Sequence, residues 1–230
     1  MNYFAHGRRY TDDPYLLAGT ATPDWLCVVD RSVRVRSKSA AKYVKDANPR
    51  VAAIARGIVQ HHFDDGWFHR TRAFAELNLQ LTTAIRECLA DDGGFRSGFL
   101  GHILVELLLD AELIKQDPQQ LDVYYAALDA ADPYVVEEAV GRIAGASCNP
   151  LGLFIGRFSA ERFLYDYADD DKLLRRLNHV MRRVQLPLLP PSFLEVLPAA
   201  RRLVGRRQDE LLDSSNEQDS ITASSAERRE

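Results

Sequence analysis

Apolar residues recur at three- and four-residue spacings over residues 51–63 and 68–89. β-branched runs are few, and the alternation that a half-buried strand needs is absent, so the pattern predicts two amphipathic helices. Residues 99–114 are apolar almost all round and read as a buried central helix. Residues 124–128, 133–143, 156–167 and 170–184 look like further helices. Pro187, Pro190 and Pro191 then break the chain before a last helix over 192–207. Residues 18–30 and 46–50, which contain Gly19, Pro23 and Pro49, read as loops or helix ends, Asp91-Asp92-Gly93-Gly94 as a loop, and Pro118 as the start of a turn. There is no internal repeat and no phosphate-binding glycine loop. The expectation is one all-α domain of about seven or eight helices over residues 1–207.

Beyond Arg207 the chain has no aromatic residue and only scattered aliphatics, too little apolar surface to offset its ordering entropy, so 208–230 is expected to be a disordered acidic, Ser-rich tail. The 230-residue chain as a whole is 46% hydrophobic, which excludes general disorder. Its uncharged apolar runs fall far short of the roughly 20 residues a spanning helix needs. The first residues lack the basic-then-apolar order of a secretory signal, and an intracellular, cytoplasmic protein is expected. Cys27, Cys88 and Cys148 are far apart and form no C-x-x-C pair; each reads as a small buried apolar residue.

The net charge of −4 conceals a segregation. Residues 208–230 carry seven acids and two bases, 31–45 carry six bases and no acid, and 172–207 carry nine bases against Glu195 alone. The remainder is strongly acidic. The basic stretches read either as solvated helix faces or as holders of a phosphate-bearing or acidic macromolecular partner. No recognised motif points to nucleic acid.

The histidines carry the chemistry. In HHFDDGWFH, His61, Asp65 and His69 share one broad helical face and His62, Asp65 and His69 a tighter one; Gly66 weakens the case for a continuous helix and makes His69 the weakest member. In GHILVELLLD, His102, Glu106 and Asp110 form a polar stripe on an otherwise aliphatic helix. Three ionisable groups in that setting are costly unless paired or bound to a cation. Alone, His102 reads as a hydrogen-bonded core histidine and HHFDD as a solvated helix face or a cap; two clusters in one helical domain favour a metal site. Imidazole with carboxylate and no thiolate is a ligand set of zinc, manganese or iron hydrolases. His179, beside Arg182 and Arg183, reads as a surface histidine.

The opening Met1-Asn2-Tyr3-Phe4-Ala5-His6 resembles the MNFLAH start of the acyl carrier protein phosphodiesterase family, helical metal-dependent hydrolases related to the HD superfamily. Leu17-Ala18-Gly19 with Asp24 is similar to that family's SGN-x-x-x-D segment, and Gly57-Ile58 with His61 and Asp65 to its GI-x-x-H-x-x-x-D helix. Gly101-His102-Ile103-Leu104 falls where the family has Asp-His-Phe-Leu. Phe163-Leu164 through Tyr167, then Leu177, Met181 and Arg182-Arg183, is similar to its W-L-x-x-Y…L-x-x-M-x-x-R helix. The resemblance is weak in identity and collinear over about residues 1–185. It departs at Gly101, where the family has Asp, and at the acidic Glu106, which is read as replacing that carboxylate one turn along.

The resemblance implies an HD-like helical bundle and hydrolysis of the phosphodiester joining 4′-phosphopantetheine to acyl carrier protein of fatty acid biosynthesis, with manganese, or alternatively zinc or iron. His6, Asp24, His61, Asp65 and His102 match motif positions. The expectation is that His6, His61, Asp65, His102 and Glu106 hold one or two divalent cations. Asp24 completes that set or acts as general base, with His62 the alternative base, and Arg34, Arg36, Arg182 and Arg183 contact phosphate or an acidic partner. The rivals are another phosphoester hydrolase, of the zinc-dependent phospholipase C kind, and a non-enzymatic helical binding module.

Overall fold

A computed structural model describes residues 1–89 and 94–214, and these residues are all-helical. They form twelve α-helices and two short 3-10 helices, more pieces than the seven or eight expected. The excess comes from α-helices of four or five residues, too short for periodicity to register, from breaks inside predicted helices, and from a 16-residue helix where residues 18–30 read as loop. None of the described helices is long and apolar enough to cross a membrane.

Helix α1 (Tyr3–Gly7) leads into α2 (Pro14–Val29), which Asp13 caps by accepting from the backbone N–H of Tyr15 and Leu16. The expectation of loop over 18–30 is thus corrected: α2 runs through Pro23, whose missing N–H leaves the Gly19 carbonyl without its helical donor. After α3 (Ser37–Ala40), Pro49 begins α4 (Pro49–Phe68), with Asn48 as cap. Helix α4 continues through Gly66 and ends in a tight turn at His69 and Arg70. Thr71 then caps α5 (Arg72–Cys88), four residues later than the helix expected from Phe68.

Helix α6 (Ser97–Gln116) is the expected central helix, packed by α5, α1, α7 (Pro118–Asp129) and α11 (Leu197–Arg206). The helix expected over 156–167 is instead α9 (Leu151–Glu161) followed by a 3-10 turn (Phe163–Ala168). Arg162, at φ +45°, leaves the helical region between them. Helices α8 (Pro133–Ala144) and α10 (Asp170–Arg183) lie close to their expected spans. The last expected helix is split into a 3-10 turn (Pro191–Glu195) and α11. Residues that composition assigns to the tail include a helix: α12 (Gln208–Leu211) buries Leu211 completely, an anchor too small to show in a composition count. Residues 215–230, and the expected loop at Asp91-Asp92-Gly93, lie outside the described residues. Among the cysteines only Cys148 is buried; Cys27 and Cys88 are half-exposed.

Two helix contacts position the site. At the first, α2 and α4 meet backbone to backbone: a Cβ on Gly19 would lie 2.4 Å from the Ile54 carbonyl oxygen, and one on Gly57 2.2 Å from that of Leu16. The second is α6 against α5 at Gly101. A Cβ there would lie 2.6 Å from Thr82 Oγ1 and 3.0 Å from the Asn78 carbonyl oxygen, so an aspartate at 101 has no room.

Candidate metal centre

The five expected ligands fall into two neighbouring clusters, and each gains a residue that the sequence reading left unassigned. The first comprises His6 from α1 with His61 and Asp65 from α4. His61 Nδ1 lies 2.8 Å from the Thr20 carbonyl oxygen, which can only accept, so Nδ1 carries a proton and Nε2 is turned toward Asp65 Oδ2 at 3.4 Å. A second group fixing the far nitrogen of an imidazole is the usual way a metal-binding histidine is oriented.

The His6 ring stacks on His61 at a centroid distance of 4.1 Å. Its Nε2 is 3.2 Å from Asp65 Oδ1 and its Nδ1 3.6 Å from Asp64 Oδ2, ion-pair contacts in which neither buried nitrogen makes a hydrogen bond. Asp64 is the unassigned residue here; Gln60 Nε2 (2.9 Å) and Trp67 Nε1 (3.3 Å) donate to its carboxylate. Burial drives the His6 pKa down, and Asp64 and Asp65 more than reverse this, so it stands above the ordinary value. Burial pushes Asp65 up, but His6, His61 and the Met1 ammonium hold it well below the usual carboxylate range.

The second cluster comprises His69 from the α4–α5 turn with His102 and Glu106 from α6. Glu106 Oε1 is 2.9 Å from His69 Nε2 and 3.2 Å from His102 Nε2. Both rings stand against Phe74, at centroid distances of 4.8 and 4.9 Å. Burial raises Glu106; the Met1 ammonium, His102 and His69 outweigh it and leave the carboxyl far below its ordinary value. The Met1 α-amino group lies between the clusters, donating to Asp65 Oδ1 (2.7 Å) and Glu106 Oε1 (3.2 Å).

Asp110, the third member of the α6 stripe, belongs to neither cluster. It is fully buried and accepts from Phe4 N (3.0 Å), Ala5 N (2.7 Å) and Asn2 Nδ2 (2.8 Å). It therefore pins the first turn of α1 and so places His6. Burial is the chief cause that pushes its carboxyl up to about 6, against the pull of those donors.

A cavity of about 380 Å³ opens beside the second cluster, with Asp24 and Glu106 on its wall, Arg183 and His179 also lining it, and Tyr3, Phe154 and Phe163 supplying apolar surface. Asp24 is half-buried, outside both clusters, and burial raises its pKa in spite of His61 and His6. A smaller cavity of about 140 Å³ reaches His6 and Asp64 from the other side of Met1.

The remaining expected site residues are scattered. His62 packs edge-on against His61 at a centroid distance of 5.4 Å, but its Nε2 donates to the Val35 carbonyl (2.7 Å), and it belongs to neither cluster. Arg34 is exposed, with Nη1 3.6 Å from the sulfur of Cys27, which lines the large cavity. Arg36 and Arg182 are exposed and outside that lining. His179 is exposed, as expected, and lines the cavity as well. The two basic stretches meet: Arg31 Nη2 donates to the Arg183 carbonyl at 3.4 Å.

The first cluster suits a divalent cation. A buried imidazole whose nitrogens make no hydrogen bond, a second held at Nδ1 by Thr20, and a carboxylate facing both are donors that a cation would satisfy together. Comparison of the chain with protein-family models, with curated proteins and with solved structures finds no match.

Proposed function

We propose that this protein is a metal-dependent phosphodiester hydrolase on an HD-like helical bundle, acting on acyl carrier protein to release 4′-phosphopantetheine. The observation that carries the reading is the buried His6 ring, whose nitrogens make no hydrogen bond, stacked on a His61 held at Nδ1 by Thr20, both facing Asp65, next to a cavity walled by Asp24. A divalent cation, manganese first and zinc or iron next, supplies Lewis acidity and a water acidic enough to be a nucleophile near neutral pH.

His6, His61 and Asp65 hold that cation, and Asp110 keeps His6 in place. Asp24, on the cavity wall with a raised pKa, accepts the proton of the attacking water. Arg176 is tied to Asp166 at 2.6 Å, whereas Arg183 and His179 make no ion pair among the described residues and are free to hold phosphoryl oxygens. Tyr3, Phe154 and Phe163 line the path of an uncharged arm. Arg31, which reaches the Arg183 carbonyl, and the exposed Arg34, Arg36 and Arg182 supply positive charge that suits an acidic carrier protein.

The test is incubation of holo acyl carrier protein with manganese-loaded enzyme, followed by mass spectrometry. Loss of the phosphopantetheine mass is expected; an intact carrier alongside cleavage of a generic phosphodiester would leave the hydrolase and remove the substrate. A second reading is a non-enzymatic helical module, favoured by the Met1 ammonium that already bridges Asp65 and Glu106. Protein purified without chelator, free of metal and unchanged in melting temperature with manganese or zinc, would remove the hydrolase reading and leave that module.

A further inference from the structure

We infer that His69, His102 and Glu106 form a second divalent-cation site, distinct from the His6 cluster and facing the large cavity. The inference rests on the hydrolase reading and extends it from one ion to an adjacent pair, with His69 as the additional ligand.

Three nitrogens converge on one oxygen. His69 Nε2, His102 Nε2 and the Met1 nitrogen lie 2.9, 3.2 and 3.2 Å from Glu106 Oε1. A carboxylate oxygen has two lone pairs and cannot serve three donors well. A cation among these atoms changes the geometry from competition to coordination: the imidazoles and the carboxylate then donate to the ion. Bonds of about 2.1 Å bring ligand atoms to roughly 3–4 Å of one another, and the three ligand atoms here already lie within 4.8 Å. Small side-chain shifts complete the sphere.

The rings are also held for the purpose. Phe74 stands against both imidazoles, Phe68 lies 5.3 Å from His69, and the two imidazoles are 4.8 Å apart. Aromatic packing therefore sets the direction of two lone pairs before any ion arrives.

The position specifies the role. Glu106 lines the cavity that Asp24, Arg183 and His179 share, whereas His6, His61 and Asp65 do not. An ion on Glu106 would meet an anionic oxygen of the substrate, and the ion of the first cluster lies behind it. The Met1 nitrogen contacts a carboxylate of each cluster, so the two centres are neighbours. Gly101 explains why the carboxylate comes from 106: position 101 is pressed against α5, and the next turn of α6 carries the acid.

The full-length chain, stripped with chelator, reloaded with Mn²⁺ and dialysed, should hold two ions by elemental analysis. His69→Ala should hold one ion with unchanged helical circular dichroism. Glu106→Gln, nearly isosteric, should do the same and guards against a folding defect in the first variant. Two ions retained in both variants, or a wild-type protein with a single ion lost only in His61→Ala, would overturn the second site and leave the first intact. A wild-type chain that binds no Mn²⁺ or Zn²⁺ would overturn both.

Discussion

The two imidazole–carboxylate clusters are built from similar side chains and held by different forces. In the first, His6 and His61 are 0% and 3% exposed, and polar groups orient them: the Thr20 carbonyl, and Asp110 acting through the α1 backbone. In the second, His69 and His102 are 30% and 40% exposed, and aromatic packing against Phe74 does the orienting. A hydrogen bond fixes a tautomer as well as a direction; packing fixes direction alone. The first cluster should therefore bind its ion tightly and exchange it slowly, and the second should be the site that adapts to substrate.

Substitutions can break this contrast. The largest effect is expected from His61→Ala, which should reduce tightly held metal and phosphodiester turnover to background; turnover at the wild-type rate would contradict the assignment of the first cluster. Next, Phe74→Ala should cost about 3–5 kcal/mol in stability, as large-to-small changes in a core do, and weaken only the second ion in a metal titration. Equal weakening of both ions would show that the clusters share their support.

Asp110→Asn should cost about 1–3 kcal/mol, because all three of its partners are donors and an amide must turn its NH₂ toward one of them. The same variant should lower affinity at the first cluster by roughly 10–100-fold, the effect of losing a ligand's support. Calorimetry and metal titration check the two parts; unchanged affinity with lowered stability would mean that α1 docks without it.

The smallest expected effect is in the pH dependence of the metal-free protein. Asp65 and Glu106 have lowered folded pKa values, so their stabilisation is complete above the ordinary carboxylate range and lost as the pH falls below it. Asp110 is the reverse: raised from 3.8 to about 6, its contribution is full below the lower value and lost as pH rises through the upper. Asp110→Asn should flatten the melting-temperature curve between about pH 4 and 6 and leave the acid limb in place. A curve with its wild-type shape would remove Asp110 as the source.

Much of this was legible in the residues. The stripe of His102, Glu106 and Asp110 follows from helical spacing, and the cost of burying it signals that partners exist. Spacing cannot say that Glu106 meets imidazoles while Asp110, one turn on, meets backbone N–H groups of α1, because that division depends on what packs opposite. His61 and His62 compete on helical geometry, and only the approach of Thr20 on one side and Val35 on the other separates them. His69 looked weakest because of Gly66, yet it needs no continuous helix: the turn that ends α4 carries it to α6. Pro23 and Arg162 mislead in opposite directions, one tolerated inside a helix and the other ending one without a glycine or proline.

The contact between Gly19 and Gly57 bears on how such a site can change by mutation. Neither residue has any chemistry, yet the space where two methyl groups would stand allows α2 to approach α4 closely enough for a carbonyl to reach His61 Nδ1. The protonation pattern of a ligand is thus inherited from a steric vacancy. A mutation to alanine at either position would reach the imidazole as a separation of two helices, and a search for functional positions confined to polar residues would pass over both.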